Sequence, residues 1–258
     1  MTALSPTVGA RHDMLGMRLD YLEPKTYLRD IVERARSGQG GYCCVANVHM
    51  CVLAHDDTGF AAQVNGATYV IADSTILQRA RSLRHGVAFK ETMRGAEMML
   101  ALAERAAAQG VKIGLIGGKD DAILLRLQHK LFERMPGLDI AFAYSPPFSG
   151  MSQQADDALI ANIVASGAQL IFVGLGCPKQ ERWMAAHTDR LDAMMVGIGA
   201  AFDFNAGVVE TSPSWVHKAG LEWLYRLIKE PRRLWRRYLG TSPRFLWLMV
   251  WDRLGSGA

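Results

Sequence analysis

The chain has 258 residues, half of them hydrophobic, and a net charge of only +4; that is enough apolar material for a sizeable core, which excludes a disordered protein. The charge is unevenly placed, because from Trp215 onward nine Lys and Arg face three acids, a net of +6 that leaves −2 for the rest. A body that is acidic on balance excludes broad binding of a polyanion, and only the C-terminal segment is left as a cationic surface.

Short apolar runs ending near Gly, Asp or Asn alternate with helical stretches. YCCVANV (42–48) reads as the first strand, and Asn47 at its end either binds a sugar hydroxyl through its amide or caps the next helix. TYVIAD (68–73) is the second. Its terminal Asp73 either caps a helix through Ser74 and Thr75 or acts as a general base, taking a proton from an attacking hydroxyl. A helical period covers 97–109. KIGLIGG (112–118) is the third strand, and Gly117 and Gly118 in GLIGGKDD would let backbone N–H groups approach a phosphate, although the spacing is neither GxGxxG nor a Walker motif. A helix over 120–135 leads to the strand LDIAFAY (138–144), and a helix over 156–166 leads to QLIFVGLG (169–176). Gly176, Pro178, Lys179, Gln180 and Glu181 follow as a dense polar cluster at that strand's end. The last run, AMMVGIG (193–199), leads to Asp203, an acceptor for a ribose or a base edge.

Apolar strands separated by helices predict an α/β fold, a mostly parallel Rossmann-like sheet with helices on both faces. Ligands of such sheets bind at the carboxyl ends of the strands, where these polar residues fall. After about Pro213 strands cease. Pro231 and Pro243 divide the remainder into three expected helices, about 214–229, 231–239 and 243–253. The expected division is thus a body over 1–212 and a helical appendage over 213–258.

Cysteines 43, 44, 51 and 177 have no metal-ligand spacing and form no disulfide framework, so reduced thiols are expected. The acidic pairs Asp56-Asp57, Asp120-Asp121 and Asp156-Asp157 are adjacent rather than Asp-x-Asp and are expected to be solvated; no metal or other cofactor is indicated. The start, MTALSPTVGARHDM, has no apolar leader, and the longest apolar run, 245–251, is far below the roughly 18 residues that span a bilayer. A cytoplasmic protein that does not cross the membrane unaided is expected. A dinucleotide oxidoreductase would need GxGxxG, and a nucleic-acid protein would need a motif that the body lacks.

GLGCPKQERW, GIGAAFDFNAG and GLEWLYRLIKEPRRLWRRYL, supported by IAD, RGAEM and IGG followed by MPGLDI, resemble the WecG/TagA/CpsF glycosyltransferases, glycosyltransferase family 26, from about Leu15 to Arg253. The resemblance implies inverting, metal-independent transfer from a UDP-sugar to a polyprenyl-diphosphate-linked sugar at the inner face of the plasma membrane, in surface polysaccharide or cell-wall polymer synthesis. The transferred sugar would be N-acetylmannosamine, its uronic acid, glucose or similar. It also implies Asp73 as the base, Gln180 and Asp203 near the donor, Asn47 and Glu97 lining the pocket, and Arg226, Arg233 and Arg236 reaching a diphosphate from a membrane-contacting tail. Homo-oligomers are compatible with it; nucleic acid is not an expected partner. Four positions depart from the family pattern. Val45 replaces a usual Thr, Ser74 a Gly, Thr92 a basic residue and Ala200 a Gly.

Overall fold

The computed structural model describes residues 9–147 and 151–255, with the side chains at 233, 236–239 and 252–255 outside the described set. The strands are β1 (Arg11–Met14), β2 (Met17–Asp20), β3 (Gly41–Ala46), β4 (Tyr69–Ala72), β5 (Ile113–Gly117), β6 (Ile140–Tyr144), β7 (Leu170–Gly174) and β8 (Met194–Gly197). Helices α1 (Pro24–Arg36), α2 (Val48–Asp56), α3 (Thr58–Asn65), α4 (Thr75–His85), α5 (Gly95–Gln109), α6 (Asp121–Arg134), α7 (Gln153–Ser166), α8 (Lys179–His187) and α9 (Ala201–Asn205) connect or follow them. The chain ends with α10 (Ser214–Ala219), α11 (Glu222–Lys229) and α12 (Pro231–Gly255).

Six strands form one sheet in the order β4-β3-β8-β7-β5-β6, with every neighbouring pair parallel. Period-two alternation sends Tyr42, Cys44 and Ala46 of β3 into a core shared with α2, α3, α7, α8 and α12, while Cys43 and Val45 enter a second core with α1, α5, α6 and α9. Both faces of the strand are therefore apolar, which is why the strands read as continuous runs rather than alternating ones. β6 is the exception: an edge strand, half-buried along its whole length. None of the four cysteines is in a disulfide, as expected, and Cys43, Cys44 and Cys51 are buried.

Two features were not in the sequence reading. The first is the antiparallel hairpin β1–β2, whose Arg11 donates to the carbonyls of Asn65, Ala67 and Thr68 at 2.8–3.0 Å. The second concerns the tail. Gly220, with φ +79°, ends α10, so the expected 214–229 helix is two pieces, whereas the expected break at Pro243 is absent and α12 runs through it. A proline inside a helix costs about 3 kcal/mol. Leu234 before it and Phe245 and Leu248 after it are buried, and burial of such side chains contributes about 1.5–3 kcal/mol each. Packing outweighs the local penalty. Arg244 makes a bidentate pair with Asp56 at the end of α2.

Phe245 is 1% exposed and lies in the same core as α2. Phe245→Ala is expected to destabilise the protein by about 3–5 kcal/mol, read as a lower midpoint in urea unfolding.

Candidate active site

A cavity of about 520 Å³ opens at the carboxyl ends of the sheet strands, with residues just beyond all six contributing to its wall. Of the sequence-predicted residues, Asn47, Asp73, Gly118, Gly176, Lys179, Gln180, Asp203 and Arg226 line it, whereas Gly117 and Glu97 do not. The side chains of Arg233 and Arg236 lie outside the described residues.

Two glycines leave room for close approach at the mouth. Gly117 has φ +137°, and a Cβ there would fall 2.7 Å from the carbonyl oxygen of Gly174, so this glycine permits the close approach of β5 and β7. At Gly197 a Cβ would fall 2.6 Å from Met184 Cε and 3.1 Å from Gln180 Nε2. Gln180 is 3% exposed and spans the loops after β7 and β8: its Oε1 accepts from the N–H groups of Gly176 (3.2 Å) and Gly199 (3.0 Å). Its Nε2 donates to Glu181 Oε1 at 2.7 Å, and Glu181 is fully buried. A buried amide used this way positions two loops, because removing it would strand two backbone donors inside the protein.

The first two strand ends meet their following helices differently. Ser74 is the N-cap of α4, its side chain accepting from Leu77 N, and the Asp73 backbone N–H donates to Ala46 O at 3.0 Å. Capping thus falls to Ser74, and Asp73 is held by β3 at the cavity wall. Asn47 does cap α2, with Oδ1 accepting from Met50 N at 3.2 Å, while still lining the cavity.

Glu97 acts through its neighbour. It accepts from the Arg94 backbone N–H (3.2 Å) and from Nε (3.0 Å), and Arg94 in turn donates to Ser212 O at 2.6 Å and lines the cavity itself. Burial raises the Glu97 pKa, but the hydrogen bonds and charge of Arg94 outweigh it and hold the carboxyl below its ordinary value. The residue facing the cavity is therefore the cation, and Glu97 orients it.

Glu222, Arg226 and Leu234 extend the wall from the tail. Arg226 lies 5.3 Å from the Phe204 ring centroid, a cation–π contact that holds the guanidinium over α9. Below it is a network that the sequence did not reveal. Thr75 Oγ1 donates to the His217 carbonyl (2.9 Å), so in its 3.3 Å contact with Thr92 it accepts. Thr92 has then used its proton and accepts from His217 Nε2 at 2.9 Å. On the other side His217 Nδ1 faces Glu222 Oε2 at 2.8 Å, and an ionised carboxylate only accepts. In this arrangement both ring nitrogens are placed as donors, as in the protonated ring. Its pKa is raised, first by the hydrogen bond it donates to Glu222 and then by that residue's charge, with Glu97 adding to it and burial and Arg94 opposing.

A folded-state pKa raised above the unfolded value contributes stability that is fully present below the unfolded pKa and fades as pH rises through the folded one. His217→Gln should therefore lower stability most below about pH 6.5, by roughly 1.5–3 kcal/mol for a lost charge-assisted bond. Melting curves of the two proteins should converge as pH is raised; a gap independent of pH would mean that the ring is neutral throughout.

The acidic pairs are not simply solvated. Asp56 pairs with Arg244; Asp57 caps α3 and meets Arg182 at 3.0 Å; Asp120 caps α6; Asp157 pairs with Arg190 at 2.8 Å. Asp156 accepts from Trp183 Nε1 at 2.9 Å and from His187 Nε2 at 2.7 Å, while Asp121 remains exposed. Helix caps and basic partners claimed these carboxylates, which spacing alone does not show. Among the described residues no group of three His, Cys, Asp or Glu side chains is placed to hold a metal ion.

A parallel sheet with a glycine-rich mouth, a carboxylate at one strand end and cations around it suits transfer of a group from an anionic carrier. A family model described as "Glycosyl transferase WecG/TagA/CpsF family" matches residues 12–258.

Proposed function

The chain belongs to the WecG/TagA/CpsF glycosyltransferase family, and from this premise we propose that it moves a sugar from a UDP-sugar to a polyprenyl-diphosphate-linked acceptor with inversion at the anomeric carbon. The observation that carries the reading is that Asp73 and Arg226, one from a strand end and one from the tail, line the same cavity.

In the proposed reaction an acceptor hydroxyl attacks the anomeric carbon of the donor. The new C–O bond forms on one face as the bond to UDP breaks on the other, and Asp73 takes the hydroxyl proton. The charge gathering on the diphosphate is met by the Arg226 guanidinium, whose fork suits phosphate oxygens, and by backbone donors of the glycine-rich turns at Gly118 and Gly176. Arg94 and Lys179 add positive potential to the same wall. Arg233 and Arg236 are proposed to assist with a diphosphate, Asn47 and Asp203 to bind sugar or nucleoside hydroxyls, and Gln180 to hold the two loops in register. No metal is proposed.

The tail over 213–258 is proposed to rest on the inner face of the plasma membrane. What supports this is one exposed side of α12 carrying Leu246, Trp247, Val250 and Trp251, with Ile228 of α11 and Trp235 also exposed. Such an amphipathic aromatic surface, with arginines beside it, suits the headgroup region. No helix of the described residues is long and apolar enough to cross a membrane.

The test is a screen of UDP-sugars against short-chain polyprenyl-diphosphate sugars in the presence of a chelator, read by mass. One donor should give a product heavier by one glycosyl unit, with release of UDP. Salt-sensitive DNA binding without turnover of any UDP-sugar would refute the proposal and return the basic tail to nucleic acid.

A further inference from the structure

A second cavity, of about 100 Å³, adjoins the first, and Glu222 and Arg226 of α11 line both. His217 also lines the smaller one and is bonded to Glu222. We propose that His217 is a positioning residue for Arg226: in its protonated form it holds the Glu222 carboxylate away from the arginine, so that the guanidinium stays available to an anionic diphosphate. The proposal rests on the transfer reaction above, in which Arg226 meets that diphosphate.

Helix geometry sets up the competition. Glu222 opens α11 and Arg226 follows four residues later, so the two side chains share one face of the helix. A glutamate four residues before a basic residue has the spacing and the order that favour an ion pair on a helix. Such a pair would occupy the cation within the protein. In the structure the carboxylate is bonded to His217 Nδ1 at 2.8 Å, while Arg226 stacks on Phe204. Arg226 Nε is a buried donor with no partner among the described residues. A guanidinium donor of that kind at a cavity wall suits an incoming phosphate oxygen.

The ring is placed for this duty. Its side chain is 11% exposed, and Nε2 faces Thr92 at 2.9 Å, so both nitrogens are set to donate. The other charges around it are Glu97 of α5 and Arg94 before it, and Arg79 of α4, which bonds the carbonyls of Lys218 and Ala219. Lys218 lies on its own helix, and Asp73 and His49 line the same small cavity. Glu222 and Glu97 favour the protonated ring and outweigh burial and Arg94, so its pKa is raised. As pH climbs through that raised value the ring loses its charge. Glu222 then keeps only a hydrogen bond to a neutral donor and becomes an uncompensated anion one helical turn from Arg226.

The test uses the full chain, with UDP as the probe, and calorimetry between about pH 6 and 9 on the parent, His217→Gln, Glu222→Gln and the double variant. At the acidic end His217→Gln should bind UDP at least about fivefold more weakly than the parent, because glutamine carries no charge to hold Glu222. The parent should fall toward His217→Gln as pH rises, even though the second ionisation of UDP, near pH 6, works in the opposite direction in every protein. Glu222→Gln should show no such fall. The double variant should match Glu222→Gln, because no carboxylate is left to be held away. A purely structural role for His217 predicts instead that the double variant stays as weak as His217→Gln. That result overturns the proposal and leaves the transfer reaction standing, as does equal UDP affinity of His217→Gln and the parent at the acidic end. Parallel pH profiles of the parent and Glu222→Gln do the same, and this pair decides alone if His217→Gln fails to fold by circular dichroism. Failure of the parent to bind UDP overturns the transfer reaction and this role together.

Discussion

Asp73→Asn should lower glycosyl transfer by about 10²–10⁴-fold, the contribution typical of a positioned general base, and leave UDP affinity within about twofold. The substitution keeps the shape of the side chain and removes its capacity to take a proton. Two local structural features do not depend on the carboxylate: Ser74 caps α4, and the contact to β3 is made by the backbone N–H of residue 73. Loss of transfer with an unchanged melting temperature and retained UDP binding therefore isolates the chemical step. Transfer at the parent rate by the Asn variant would remove Asp73 from the role of base. Glu222, whose carboxylate also lines the cavity and is bonded to His217, would be the next candidate.

Arg226→Ala should lower kcat by about 10²–10³-fold, as when a donor to a developing negative charge is removed. Arg226 is half-buried on α11, packs its guanidinium over Phe204, and borders both cavities. Its loss should cost only about 0.5–2 kcal/mol of stability from the cation–π contact, so unfolding cannot account for a thousandfold fall in rate. Arg226→Lys keeps the charge and loses the planar fork and the stacking, and should recover part of the rate without reaching that of the parent. Steady-state kinetics at saturating donor separates the two variants. Activity of Arg226→Ala within a few-fold of the parent would place the leaving-group charge on other donors.

How much of the site could be read in advance depended on how local its cause was. A strand that ends in a polar residue announces it within a few positions, and so Asn47, Asp73, Gln180 and Asp203 were identifiable from strand and turn signals. Their duties were less visible. Gln180 reads as a ligand-facing amide, yet its oxygen is used by the N–H groups of Gly176 and Gly199, the second of which lies 19 residues away. Glu97 reads as a pocket residue, yet its carboxylate is committed to Arg94. His217 gave no signal at all, because the threonines it bonds precede it by more than a hundred residues.

The sequence by itself determined the parallel sheet, since apolar runs of strand length with helices between them have few other ways to bury both faces. It also determined where polar chemistry sits along the chain, because glycine and strand termini act over a few residues. Only the tertiary structure brought Glu222, Arg226 and Leu234 of the tail onto the wall of the cavity. Proline predicted a break at 243, but burial of Leu234, Phe245 and Leu248 carried the helix through it, and Gly220 turned α11 so that Glu222 and Arg226 meet Asp73 at one wall. Burial of side chains distant in sequence exceeds the preference of any single residue, and that sum exists only once the chain has folded.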